Sequence, residues 1–307
     1  MTDQATNAAL AADANGTGAT LPESSTAVAM PAPAIENIPA DLAEKYAALR
    51  ENLHKLGRVA VAFSGGVDST LLLAVATDVL GDAACGITAN TQMIPARELR
   101  EADEFCQERN LRHITIEVDA LAIEGFAENP PERCYICKTA LFTTILNKAA
   151  ELRFPYVAEG TNTSDLGDYR PGLRALRELT VKSPLLESGL SKADVRALSR
   201  ALGLPTWDKP SYACLASRIP YNSEITAENL AAVETAEDAL MEAGFPQVRC
   251  RAHGDLARIE VAPSEREALM RAICEGDLAQ RIHQAGFAYV TIDADGYRTG
   301  SLNAQVE

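Results

Sequence analysis

The chain has 307 residues, a length that favours two domains over one core. Its 47% hydrophobic and 23% charged residues exclude fibrous and wholly disordered classes, and 43 acidic against 28 basic residues give a net charge of −15 that disfavours broad nucleic-acid or anionic-membrane binding. No apolar run approaches the roughly 18 residues of a membrane span, and the first basic residue is Lys45, so the expectation is a cytoplasmic protein without a signal or transit peptide.

Residues 1–38 are rich in Ala, Ser, Thr and Pro and lack aromatics, so a disordered tail is expected there. Residues 41–56 read as a helix. Residues 58–63 are a short apolar run ending in a glycine turn, a buried strand. Helices are predicted over 68–80, 96–109 and 138–152, and strands over 84–89, 113–118 and 156–160. Ser191 and Asp194 form a capping-box signature that opens a helix ending at Gly203. Strands alternating with helices predict an α/β fold, a doubly wound parallel sheet covered on both faces, over residues 39–207. Residues 208–224 form an irregular connecting segment. Beyond it a helix over 227–243, a hairpin of 247–252 and 256–261, a helix over 264–285 and a strand over 287–292 predict a smaller α+β domain at 225–300.

The turn between the first strand and its helix reads Ser64-Gly65-Gly66-Val67-Asp68-Ser69. Adjacent glycines let the backbone N–H groups of the turn and helix start face one anion, whose charge the helix dipole favours. Ser64 and Ser69 add hydroxyl donors. Asp68 is a carboxylate beside a phosphate nest, which makes sense with Mg²⁺ between them. The pattern is not G-x-x-x-x-G-K-[ST], and it carries no lysine for a terminal phosphate.

Seven cysteines in a reducing compartment read as ligands, reactive thiols or small core residues. Cys134 and Cys137 form a C-x-x-C, expected in a loop before a helix; two thiolates at that spacing can hold one metal. Cys214 is a third candidate, in the irregular segment. Cys85, Cys106, Cys250 and Cys274 fall within predicted strands or helices and read as core or incidental thiols. Three ligands leave one metal position open, while His253 or a carboxylate could close a zinc site. Arg249 and Arg251, two apart on a predicted strand, share a face suited to a phosphate or carboxylates.

The S-G-G-V-D-S loop resembles the PP-loop of ATP pyrophosphatases, which release pyrophosphate intact. Together with G-T-N at 160–162, D-Y-R-P-G at 168–172, S-K-A-D-V-R at 191–196, S-R-I-P-Y at 217–221 and V-R-C-R at 248–251, it resembles the LarE family over about residues 41–300. The resemblance implies an ATP-dependent sulfur transferase of nickel-pincer cofactor synthesis. Such an enzyme adenylates a carboxylate of a pyridinium dicarboxylate mononucleotide and replaces AMP with sulfur. It implies ATP at Ser64, Gly65, Gly66, Asp68 and Ser69, with Mg²⁺ on Asp68. It implies a substrate site of Arg249, Arg251 and Glu237 in the second domain, which also serves oligomerisation, with Ser217 and Arg218 of the connecting segment. Asp165 and Asp168 are further candidates for metal or nucleotide contacts. Cys134, Cys137 and Cys214 match members with a [4Fe–4S] cluster; in other members a single cysteine near position 214 surrenders its own sulfur. A homo-oligomer and contacts with other proteins of the cofactor pathway are also implied. The rival readings are another PP-loop enzyme, either a tRNA thiolase or a zinc-stapled amide- or nitrile-forming ligase, and a non-enzymatic ATP or iron–sulfur sensor.

Overall fold

The structure, a computed structural model, describes residues 38–167, 171–210 and 213–298. The tail expected over residues 1–38 falls, apart from Ile38, outside the described residues. Strands β1 (Val59–Ala62), β2 (Ala84–Asn90), β3 (His113–Glu117) and β4 (Tyr156–Ala158) form one parallel sheet in the order β3-β2-β1-β4. The central strands β1 and β2 are almost continuously apolar because helices cover both faces.

On one face lies α2 (Val67–Leu80), whose Leu71, Leu72 and Leu73 are all fully buried. A helix apolar all round needs cover on every side. Here α1 (Ala40–Leu56) supplies it with the stripe Leu42, Tyr46, Leu49 and Leu53, α3 (Ala96–Glu108) with Ala102 and Phe105, and α7 (Lys192–Ala201) with Val195 and Leu198. The other face packs Phe142 and Ile145 of α4 (Arg133–Glu151) and Leu176 of α5 (Gly172–Glu178) on Ala60, Cys85 and Ile87. A short α6 (Pro184–Glu187) precedes α7, which opens with the expected Ser191–Asp194 capping box.

The chain runs outward from β1 to β3, then returns to place β4 on the other side of β1. Connections leave neighbouring strands in opposite directions at that point, opening a crevice beyond the carboxyl ends of β1 and β4. The glycine turn follows β1 directly into this crevice.

A second sheet, β5 (Arg249–His253), β6 (Leu256–Glu260) and β7 (Tyr289–Ile292), pairs β5 antiparallel to β6 and β7 parallel to it. Its core draws Val233, Ala236 and Leu240 from α8 (Ala227–Glu242), and also Met93, Ala120, Phe126, Leu215 and Ile219 from earlier in the chain. The helix expected over 264–285 divides into α9 (Arg266–Glu275) and α10 (Leu278–Gln284), because Gly276 is extended (φ −103°, ψ −165°) and ends α9. The C-x-x-C is not in a loop: α4 begins at Arg133. Pro130 and Pro131 precede the helix, where missing N–H groups cost nothing, and nothing after them breaks it. Helices α5 and α6 were not expected. Among the described residues no helix is long and apolar enough to cross a membrane.

Candidate active site

The glycine turn is tied to itself. Gly65 has φ +66°, a left-handed conformation that favours glycine, and a Cβ there would stand 3.1 Å from that of Ala102. Ser69 Oγ accepts from the Ser64 N–H at 3.2 Å, lies 3.1 Å from Ser64 Oγ and donates to the Gly66 carbonyl at 3.2 Å. No side chain caps the start of α2. Its first N–H groups have no partner within the helix and present positive potential to the crevice. The predicted Ser64, Gly66 and Asp68 all line one cavity of about 290 Å³.

The lysine missing from the loop is supplied from elsewhere in the chain. Lys192, at the start of α7, places Nζ 2.5 Å from Asp68 Oδ2, while Asn162 Nδ2 donates to Asp68 Oδ1 at 3.1 Å. Lys209 Nζ donates to the Gly65 carbonyl at 3.1 Å and pairs with Glu101 at 2.7 Å. Glu98 lines the same cavity; burial raises its pKa above the usual carboxylate range, with Lys209 opposing that shift. Sequence reasoning gave none of these side chains a role, although Asn162 and Lys192 lie within the G-T-N and S-K-A-D-V-R motifs. Glu98 left a signal, being a carboxylate four residues before Ala102 on the apolar stripe of α3. Lys209 left none and Lys192 only its place in the S-K-A-D-V-R motif, since each meets the loop across more than 100 residues of sequence.

The three candidate cysteines lie within electrostatic reach of one another. Cys134 and Cys137 lie on the first turns of α4, and exposed Cys214 borders the glycine-loop cavity. Burial pushes the Cys137 thiol up to about 12, helped by Cys214 and then Cys134; burial, then Cys214, also raises Cys134, against the nearby Arg133 guanidinium. A thiol whose charge acts on two others shares their surroundings. Among the described residues no group of three His, Cys, Asp or Glu side chains is placed to hold a metal ion. A cluster with one iron per thiolate asks for wider spacing than a single ion, and Cys134, Cys137 and Cys214 are free thiols of the donor type it uses, Cys214 lining the nucleotide cavity. Cys85, Cys106 and Cys250 are buried and Cys274 is exposed.

Behind Cys214 stands a charged network. Arg218, 1% exposed, makes a bidentate pair with Glu237, 0% exposed: Nε to Oε1 and Nη2 to Oε2, each 2.8 Å. Burial opposes the Arg218 charge, but the Glu237 carboxylate outweighs it and the pKa is raised. The remaining Arg218 nitrogen donates to the carbonyls of Ala213 and Cys214 and to Ser217 Oγ. Arg218 therefore fixes the backbone that carries Cys214. Glu237 Oε1 also accepts the Cys250 N–H at 2.9 Å. Arg251 donates to the Ser217 carbonyl at 2.7 Å and pairs with Glu260 at 2.8 Å. Arg249 lies 5.1 Å over the Tyr297 ring, and burial followed by Arg218 lowers its pKa, so an anion there would relieve both. Tyr297, with Arg200 and Trp207, lines a second cavity of about 600 Å³ that shares Pro210 with the first. Asp165 accepts the Asn162 N–H at 2.9 Å, a turn-stabilising contact. Asp168 lies outside the described residues.

A glycine-rich anion nest at the switch point of a parallel sheet, backed by two lysines and a carboxylate, defines a nucleotide-using enzyme of the PP-loop class. No protein-family model matches the chain. It is 43% identical to an uncharacterised protein of Synechocystis over 85% of this chain and 98% of that one. It is 37% identical to the pyridinium-3,5-bisthiocarboxylic acid mononucleotide synthase of Lactiplantibacillus plantarum, over 86% and 95% respectively. One chain of the glutamine-hydrolysing GMP synthase of Thermoplasma acidophilum is 31% identical over 63% of this chain and 67% of its own length. The chain belongs to the LarE family, and it is an ATP-dependent sulfur transferase.

Proposed function

We propose that this chain adenylates a carboxylate of a pyridinium-3,5-dicarboxylate mononucleotide and converts it to a thiocarboxylate, with Cys134, Cys137 and Cys214 holding a [4Fe–4S] cluster. The observation carrying this reading is that Cys214 borders the glycine-loop cavity while its thiol acts on those of Cys134 and Cys137. A substrate carboxylate oxygen attacks the α-phosphorus of ATP, the bond from that phosphorus to the bridging oxygen breaks, and pyrophosphate leaves with the electron pair. The loop N–H groups and Lys209 face the charge that builds on the phosphates. Asp68 would hold Mg²⁺ through its carboxylate, and Lys192, which lines the same cavity, brings positive charge to the phosphates. The resulting acyl adenylate takes sulfur at the oxidation level of sulfide, and AMP leaves with the electrons of the broken C–O bond. When bound, the cluster would supply that sulfur. Arg218 keeps the Cys214 backbone in place, and Arg249 and Arg251 bring positive charge to the substrate's phosphate or carboxylates.

On this reading residues 39–207 are the adenylating domain, 225–300 the substrate-binding and oligomerising domain, and 208–224 the segment that carries Cys214 between them. The protein is a cytoplasmic homo-oligomer. Anaerobic purification with iron, sulfide and zinc analysis tests the cluster, and substrate-dependent pyrophosphate release tests the adenylation. Alanine at any of the three cysteines should lose iron and thiocarboxylate together while pyrophosphate release persists. Conversion of Cys214 to dehydroalanine would instead establish a sacrificial cysteine, and stoichiometric zinc whose removal unfolds the protein would establish a staple.

A further inference from the structure

Asn129 lies in the turn before α4, fully buried, with φ +57°. That left-handed backbone is one a short amide side chain tolerates better than most. Its carboxamide is used on both sides. Nδ2 donates to the carbonyls of Pro220 at 2.7 Å, Ser223 at 3.0 Å and Ile219 at 3.3 Å. Oδ1 accepts from Arg133 Nη1 at 2.5 Å. The backbone joins the same seam: the Asn129 carbonyl accepts the Asn222 N–H at 2.9 Å, and the Ala127 carbonyl accepts that of Ile225 at 2.8 Å. Arg133, 3% exposed, is the first residue of α4 and adjoins Cys134; its guanidinium lies 4.8 Å from the Tyr221 ring centroid. One side chain thus links the start of the C-x-x-C helix to the segment that begins, five residues earlier, at Cys214.

We propose that Asn129 is a positioning residue: its carboxamide, with Arg133, sets the C-x-x-C helix against the 214–223 segment so that the three thiols converge. The physical reason is economy of partners. The carbonyls of Ile219, Pro220 and Ser223 converge on the Asn129 amide nitrogen, and the buried Arg133 guanidinium needs an acceptor; an asparagine is donor to the first and acceptor to the second. Arg218 and Glu237 fix Cys214 from the side of the second sheet. Asn129 supplies the side that faces α4.

The inference rests on the proposed meeting of the three cysteines but on no sulfur donor or substrate, so its test can fail independently. The probe is diamide, which takes two electrons and two protons from a pair of thiols, applied to the reduced, cluster-free full chain. Peptide mapping follows disulfides joining Cys214 to Cys134 or Cys137. Asn129→Gly keeps the backbone angle without strain and removes the carboxamide; Asn129→Asp keeps the shape but presents acceptors to three carbonyls. Both should slow the coupling about tenfold, since reaction rates fall steeply with misplacement of the reacting groups. ATP affinity, read at the glycine loop, should stay at the wild-type value. Coupling at the wild-type rate in either variant, or no coupling in the wild type, would overturn the proposal. So would loss of ATP affinity in both variants, because Asn129 would then support the fold at large and not the thiols.

Discussion

Asp68 has only part of its surface in solvent, 24% for the side chain, and shares its two oxygens between Lys192 and Asn162. Replacing it with asparagine removes the charge a divalent cation needs but little of the packing. Asp68→Asn should lower pyrophosphate release by about 10²–10³-fold, the loss typical when one preorganised electrostatic stabiliser of a transition state is removed. Its thermal melt should stay close to wild type. Glu237 is the opposite case. It is fully buried and accepts two bonds from Arg218 and one from a backbone N–H. Glu237→Gln leaves a buried guanidinium without its counter-charge, a change that costs about 3–5 kcal/mol in comparable pairs. Urea unfolding should show this loss directly, and an unshifted midpoint would mean that water reaches the pair. Arg249 tests whether substrate and nucleotide are held by different residues. Arg249→Ala should weaken substrate binding and leave ATP binding nearly unchanged, as measured by calorimetry for each ligand; equal losses would place Arg249 at the nucleotide.

At the scale of elements, the decisive junction lies between the end of β4 and the start of α2. A Cβ on Gly160 would come within 2.9 Å of Asp68 Cβ and 3.1 Å of the Ser69 nitrogen. Backbone atoms at that distance cannot step aside, so Gly160→Ala must push the helix start away from the strand end. The expected cost is about 1–3 kcal/mol of stability, typical of overpacking, together with weaker ATP binding because the anion nest is deformed. Urea unfolding and calorimetry on one variant check both. The strand–helix alternation was legible in the sequence because central parallel strands are apolar on both faces, and Val59, Ala60 and Val61 show that plainly. The glycine loop was legible because its chemistry is local. The start of α4 was misread because Pro130 and Pro131 look like a loop, although proline suits the approach to a helix. The ligands that complete the site were illegible for a different reason. Lys192 and Lys209 reach the loop through tertiary packing, and the pairing of Arg218 with Glu237 turns residues expected to face substrate into the frame behind Cys214.

Over the whole molecule, the buried thiols that take no part in the site should contribute to its loss of stability in alkali. Burial raises the pKa of Cys85 to about 11 and that of Cys106 to about 12, from an ordinary 9.0, and raises that of Cys250 as well. A thiol that ionises less readily in the folded chain than in the unfolded one favours the folded state fully below pH 9. Above that the unfolded chain gains a charged, well-hydrated form, and the advantage is lost as pH rises toward about 11 and 12. Each such group removes up to about 1.4 kcal/mol per pH unit in that window. Urea unfolding of the reduced, metal-free protein at intervals from pH 7.5 to about 10.5 should therefore give a flat stretch followed by a decline. The double variant Cys85→Ala, Cys106→Ala should start lower, for the lost packing, and decline less steeply. Parallel declines in the two proteins would show that other groups, such as the lysine ion pairs, set the alkaline limit. A shallower slope in the variant would locate it in two thiols packed on opposite faces of the sheet, apart from Cys214 at the nucleotide cavity.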